Sequence, residues 1–338
     1  MVSQFPQDYM HLVLLGIMRK LLNTWCSGQP RRRRLSALNI TRISDRLVRF
    51  RPCMPVEFQR KPRTLLDIRH YKATELRTVL CYTGPIAFRD ILEDDVYDNF
   101  MLLSCAMRIL LSTQLNTMYG AFAGQLLRAF VEHVKVLYGE QMLTYNMHGL
   151  IHIADQAAAR DTLDDISSFP FENHLFQLKR MLRKNQKTLK QLVHRILERR
   201  AFPAAAKPRD VPPVFLRPSN TDPPPFEYRD CLPYNCVICQ TVRFDNTPAN
   251  SCIEINGRFG VISSILKRGR HQPFAVVQYF ADDNNLFEYP APSRSFGVRH
   301  VGPLSLPKHV VPVYAMNKCI LLPMDDGKSA CISMMSGM

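Results

Sequence analysis

The stretch AFPAAAKPRDVPPVFLRPSNTDPPPFEY, residues 201–228, divides the chain into two parts of different character. Pro203, Pro208, Pro212, Pro213, Pro218 and Pro223 to Pro225 remove backbone donors and fix φ, so the segment reads as an extended linker. We place the linker at residues 201–240, a first domain at 1–200 and a small β-domain at 241–338. Residues 1–7 read as the end of a strand or a loop. Apolar residues then recur at 14, 17, 18, 21, 22 and 25, the spacing of one helix face, and predict a helix that opens near Asp8 and stops at Gly28 to Pro30. Ile40, Ile43 and Leu47, then Leu76, Val79 and Leu80, then the proline-free run from Tyr97 to Tyr138 predict further helices, as does Thr144 to Ala154. Pro170 suits a first helical turn and opens a helix expected to run unbroken to about Arg200.

Downstream the period changes from helical to alternating. The clusters Cys252 to Ile255, Phe259 to Ile265, Phe274 to Phe280, Val310 to Tyr314 and Cys319 to Leu322 are separated by turn signals such as Asn256-Gly257 and Asp282-Asp283. They predict antiparallel strands, of barrel type. The expected class is therefore α+β: a mainly helical part followed by a small antiparallel β-domain.

With 338 residues, 46% of them hydrophobic and 22% charged, the chain can bury a core and is not a disordered polyelectrolyte. Its 44 Lys and Arg against 29 Asp and Glu leave +15, which favours a polyanionic partner. Residues 1–200 hold 30 of the basic and 18 of the acidic groups, so the excess belongs to the first part. The 10 cysteines are scattered through apolar runs, as expected of reduced thiols. The early apolar run Leu12 to Met18 ends at Arg19 and Lys20, short of the roughly 18 to 20 residues a membrane span needs, and no membrane partner is expected. No Gly-rich phosphate loop, Gly-x-Ser-x-Gly elbow or kinase motif is present.

Four constellations could carry chemistry. Asp8 and His11 open the first helix, where an acid serves either as a cap or as a metal-binding carboxylate. Glu172 opens the Pro170 helix. On a continuous helix Lys179, Arg180, Arg183, Lys184, Lys187 and Lys190 would share an arc of roughly 140°, with Glu172 among them and the leucines opposite. Those cations are either a solvated face or a phosphate-binding face, and Arg31, Arg32, Arg33 and Arg34 form a second basic run. His148 and His152, four residues apart, share a helix face, but Gly149 stands where HExxH needs a glutamate, so a packed or polar-interface role competes with metal binding. Cys231, Cys236, Cys239 and Cys252 number enough for zinc, although their spacing departs from paired CxxC knuckles.

Read together, Asp8-Tyr9-Met10-His11-Leu12-Val13-Leu14-Leu15-Gly16, Arg60-Lys61-Pro62-Arg63, Tyr71-Lys72-Ala73-Thr74-Glu75-Leu76-Arg77, Asn146-Met147-His148-Gly149-Leu150-Ile151-His152 and Phe169-Pro170-Phe171-Glu172-Asn173 resemble, in order, the blocks of CACTA/Chapaev-type cut-and-paste DNA transposases. The resemblance spans about residues 5–200, and the β-rich tail is similar to the tail of the same transposon-derived proteins. It implies an RNase H-like nuclease fold in which three acids (DDE) hold two Mg2+ or Mn2+ ions, interrupted by a helical insertion at about 30–145. It makes Asp8 the second acid, Glu172 the third and His11 the histidine that accompanies the second. It also implies DNA as partner and a nuclear location.

One departure from the family matters. Its first acid lies on a strand well before the Asp-x-x-His block, and only seven residues precede Asp8 here. A two-metal site lacking one acid loses a metal, so the expectation is a truncated, catalytically incomplete transposase fragment that keeps nonspecific DNA binding. A core without its central strands should also expose apolar surface, to be covered by a partner or a second copy. Two alternatives stand beside this reading. One is an active two-metal nuclease completed by an acid encoded upstream. The other is a non-catalytic interaction protein working through its β-domain, where Tyr279, Phe280, Phe287 and Tyr289 either line a groove or, as is the commoner role of such residues, pack in the core.

Overall fold

The computed structural model describes residues 5–201, 214–219 and 226–335. Much of the proline-rich stretch, Pro203, Pro208, Pro212, Pro213 and Pro223 to Pro225 included, lies outside the described residues. The architecture is α+β, with helices first and an antiparallel sheet after them.

The expected first helix is present: a wide-turn segment Met10–Met18 runs without interruption into α1 (Arg19–Cys26). Its apolar face, from Met10 to Trp25, is buried, as the spacing requires. Ser36 accepts from the Asn39 N–H at 3.1 Å and starts α2 (Ala37–Arg49). Then come α3 (Ala73–Thr78), α4 (Gly84–Ala87), α5 (Asp94–Leu110), α6 (Thr113–Tyr138) and α7 (Tyr145–Ala158). The long Tyr97 to Tyr138 run divides at Ser112, whose side chain caps α6 through the Leu115 N–H. In the core Trp25, Phe88 and Phe100 meet edge to face at 5.1 to 6.1 Å, and the Trp25 indole donates to the Tyr138 hydroxyl at 2.9 Å.

The helix expected from Pro170 to Arg200 is broken. It forms α8 (Phe169–Met181) and α9 (Thr188–Ala201), joined by a turn in which Lys187 takes a positive φ of 51°. The Gln191 amide satisfies that turn, accepting from the N–H groups of Arg183 and Lys184 and donating to the carbonyls of Lys184 and Gln186. Neither helix buries a single residue. Phe171, Leu175, Phe176, Leu189, Val193 and Leu197 are exposed and Leu178, Leu182 and Leu192 are half-buried, so the leucine face expected to be core is not a buried one.

The strands are β1 (Val214–Pro218), β2 (Leu232–Cys239), β3 (Val242–Asp245), β4 (Cys252–Ile255), β5 (Arg258–Lys267), β6 (Phe274–Phe280), β7 (Asp283–Asn284), β8 (Val298–Val301), β9 (Leu304–Pro312), β10 (Asn317–Pro323) and β11 (Ser329–Ser333). They pair in the order β1-β2-β5-β4-β10-β11-β8-β7, with β3 on β2 and β6 between β5 and β9. Two of them, β1 and β2, fall inside the span expected to be linker. Asn256 and Gly257 both have positive φ, 51° and 79°, and close the β4–β5 hairpin as an Asn-Gly turn should. Among the described residues all strands belong to the C-terminal part, and residues 5–201 contain none.

The β-domain is docked on the helices rather than tethered beside them. On β10 and β11, Ile320, Leu322, Ala330 and Ile332 join the helical core, while the alternate residues Cys319, Leu321 and Cys331 face an inner cluster with Cys252, Phe259 and Val301. Both faces of this layer are thus covered. Arg108 of α5, only 2% exposed, donates to the carbonyls of Phe296, Ser333 and Cys81 and lies over the Tyr82 ring. Arg46 and Arg49 of α2 clamp Asp325, and Glu57 accepts from the Arg243 N–H at 2.8 Å.

Candidate functional site

Asp8, His11 and Glu172 come together, although some 160 positions separate the outer two. Asp8 precedes the first helix and caps it, accepting from the N–H groups of Met10 and His11 at 3.3 and 3.2 Å. Its Oδ1 also accepts from the Ser168 N–H at 2.8 Å, at the start of α8, and its Oδ2 meets His11 Nδ1 at 2.5 Å. His11 Nε2 lies 3.3 Å from Glu172 Oε1 in the first turn of α8. The imidazole therefore stands between two carboxylates. Burial raises the Asp8 pKa, but the Ser168 N–H and the His11 contacts outweigh it and hold the carboxyl below its ordinary value.

A buried layer fixes the backbone beneath this cluster. Tyr9, fully buried, donates from its hydroxyl to Asp164 Oδ1 at 2.7 Å, and Arg77 forks onto both Asp164 oxygens at 2.8 and 2.7 Å while also donating to Tyr9. The Tyr9 ring meets Phe169, beside Ser168, edge to face at 6.1 Å. The blocks quoted above meet here too. A Cβ on Gly16 would come within 2.3 Å of Asn146 Nδ2, and one on Gly149 within 2.5 Å of Leu12 Cδ1, so both glycines permit close approach of α7 to the first helix. Arg63 pairs with Glu75 at 2.7 Å, which makes the Arg-Lys-Pro-Arg turn and the Tyr-Lys-Ala-Thr-Glu block structural partners. Sequence reading did not assign Arg77 and Asp164 a role. A usable signal was present: a cation inside an apolar helical run needs a buried partner.

A two-metal site needs carboxylate oxygens with free lone pairs that converge on shared space. Both Asp8 oxygens already receive two N–H donors each, and the His11 ring separates them from Glu172. Among the described residues no group of three or more His, Cys, Asp or Glu side chains could hold a metal. In this arrangement the residues do not fit a pair of Mg2+ or Mn2+ ions.

The cationic residues fare differently from one another. Arg33 is consumed by Glu93, Asp95 and the Leu137 carbonyl, and Arg34 donates to the Gly28 carbonyl at 2.6 Å, leaving only Arg31 and Arg32 of that run exposed with unpaired side chains. Lys179, Arg180, Arg183, Lys184, Lys187 and Lys190 are all exposed on the α8–α9 hairpin. Because the helix breaks, they do not form one stripe with Glu172; all but Lys179 line two open clefts of about 490 Å³ each. Arg180, Arg183, Arg195 and Arg199 line one, and Arg183, Lys184, Lys187, Lys190 and His194 line the other. The ion pair of Arg195 with Glu198 is the only salt bridge found within the hairpin.

Three further expectations end differently. His148 and His152 are exposed rather than packed, with ring centroids 5.1 Å apart. The proposed zinc thiols do not converge. Cys236 and Cys239, an odd interval apart on β2, point to opposite faces; Cys231 packs with Leu266 and Val276; and Cys252 lies against Cys331 in the inner cluster. In the β-domain Tyr279 is buried, Phe280 packs on the inner cluster and Phe287 stacks on Phe296, so three of the four aromatics take the core-packing role rather than the groove, and only Tyr289 is exposed.

No helix among the described residues is long and apolar enough to cross a membrane. Residues 220–335, which hold β2 to β11, match a family described as a domain of unknown function, DUF8592. No curated protein and no solved structure matches the chain.

Proposed function

We propose that this chain is a transposon-derived DNA-binding protein that holds phosphate backbones on its α8–α9 hairpin. The observation that carries this reading is the hairpin itself. Six cations from Lys179 to Lys190 stand in solvent, five of them lining two clefts, in a chain of net charge +15. Arginine forks match phosphate oxygens, and neutralising phosphates releases counterions. Arg31 and Arg32 add a smaller exposed basic surface, and the nucleus is where such a partner is met.

Binding of a labelled duplex, followed by fluorescence anisotropy, tests it. Six phosphate contacts predict that affinity falls by roughly 10³ between 50 and 200 mM salt, with little preference among sequences. Arg183→Glu with Lys187→Glu should weaken binding at every sequence and flatten the salt slope. Affinity independent of salt would refute the reading.

The proximity of Asp8, His11 and Glu172 supports a second reading, a DDE nuclease completed by a further acid ahead of Asp8. It requires His11 to swing away and free Asp8. A longer chain carrying such an acid should cleave DNA, and its Glu172→Gln variant should lose cleavage while keeping binding.

A further inference from the structure

Three thiols that the proposed function does not use are packed together inside the β-domain. Cys252 on β4, Cys319 on β10 and Cys331 on β11 are each no more than 1% exposed, and Cys252 Sγ lies 3.2 Å from Cys331 Sγ. Their place in the sheet explains the meeting. At its start β10 pairs with β4 through Asn317 and Lys318, and from Cys319 onward it pairs with β11. The sheet folds over at this strand, bringing β4 and β11 face to face across it, and the three thiols fill the corner with Phe259 and Val301.

We propose that Cys252 and Cys331 form a dithiol site that a peroxide-class oxidant converts to a disulfide, stapling β4 to β11. Burial raises the pKa of all three thiols, but donation from the thiols of Cys319 and Cys331, with the Lys318 ammonium nearby, favours the one thiolate of the cluster on Cys252 and leaves the other two protonated. Cys319 has two further oxygens close to its sulfur, the Asn317 carbonyl at 3.8 Å and the Ser333 hydroxyl at 3.9 Å.

The chemistry balances with hydrogen peroxide as oxidant. The Cys252 thiolate attacks one peroxide oxygen, the O–O bond breaks, and the leaving hydroxide takes a proton to become water. The Cys331 sulfur then attacks the resulting Cys252 sulfenic acid. The S–O bond breaks, and hydroxide leaves with the Cys331 proton as a second water. Two thiols lose two electrons and one peroxide gains them. Because the sulfurs are buried, peroxide reaches them only when the corner opens, so the reaction is slow compared with that of an exposed thiol.

The test uses the full chain. Protein incubated with hydrogen peroxide over hours is denatured, alkylated with iodoacetamide, digested and mapped by mass spectrometry. The expected product is a Cys252–Cys331 linked peptide, reversed by dithiothreitol, lost in C252S and in C331S and kept in C319S. The oxidised protein should melt roughly 5 °C higher, because a cross-link spanning 79 positions restricts the unfolded chain. Alkylation of both Cys252 and Cys331 after the same treatment, or a bond through Cys319 instead, overturns the proposal. Should a serine variant fail to fold, the map of the unsubstituted protein decides alone.

Discussion

Asp164 is the residue on which the ground beneath the candidate site rests, since it neutralises the Arg77 guanidinium and orders the Tyr9 hydroxyl. Removing one partner of a buried pair leaves the other charge without compensation, which costs more than the pair itself contributes. Asp164→Asn should therefore lower stability by about 3 kcal/mol, read as a drop in the urea midpoint, and should loosen Asp8 as well. Asp245 sets an acid limit in the β-domain. Burial raises its pKa, but the Thr247 hydroxyl and N–H and the Arg243 guanidinium outweigh it and hold the group below its ordinary value. A carboxyl with a depressed folded pKa stabilises the protein above its unfolded value, near 3.8, and that contribution disappears as pH falls through the folded value. Acid unfolding should thus begin below about pH 4. Asp245→Asn should flatten the decline while lowering stability at neutral pH, because Arg243, Thr247 and Asn250 would then face an amide.

At the scale of elements, the first helix was legible because its apolar spacing and its stop at Gly28 agree, and the Asn256-Gly257 hairpin because that dipeptide tolerates positive φ at both positions. The α8–α9 break was not legible. Residues 182–187 contain neither glycine nor proline; the helix ends where Leu182 turns extended, and a left-handed Lys187 with a glutamine side chain from the next helix holds the turn that follows. The cationic wheel drawn on an unbroken helix failed with it, although its residues remained a surface. A lysine at φ 51° carries strain that glycine does not, so Lys187→Gly should stabilise the turn by about 0.5 to 1 kcal/mol. Gln191→Leu should abolish the amide's four hydrogen bonds and raise hydrogen exchange across residues 182–187 while leaving α7 unchanged. Equal exchange in both proteins would mean that Gln191 does not hold the turn.

For the whole molecule, composition and period revealed a helical part and a β part but not that they share one core. The joining residues are single charges in apolar surroundings: Arg108 in the run MLLSCAMRIL of α5, and Glu57 ahead of α3. A lone arginine in such a run can signal a buried acceptor set, yet nothing local says that its acceptors, Phe296 and Ser333, lie some 190 to 225 positions away. Among the described residues Arg108 has no acidic partner and is compensated by carbonyl dipoles and the Tyr82 ring. Arg108→Met would fill similar volume but strand those carbonyls, so a loss of about 3 kcal/mol is expected. The shared core also bears on using the β-domain alone. Excised at residues 214–335, it would bare Leu286, Phe296, Val298, Ile320, Leu322 and Ile332, a contiguous apolar face that the helices now cover. That fragment should bind a hydrophobic dye and self-associate more strongly than the full chain, measured at the same concentration by light scattering. A monodisperse, dye-silent fragment would show that the β-domain completes its fold without the helices.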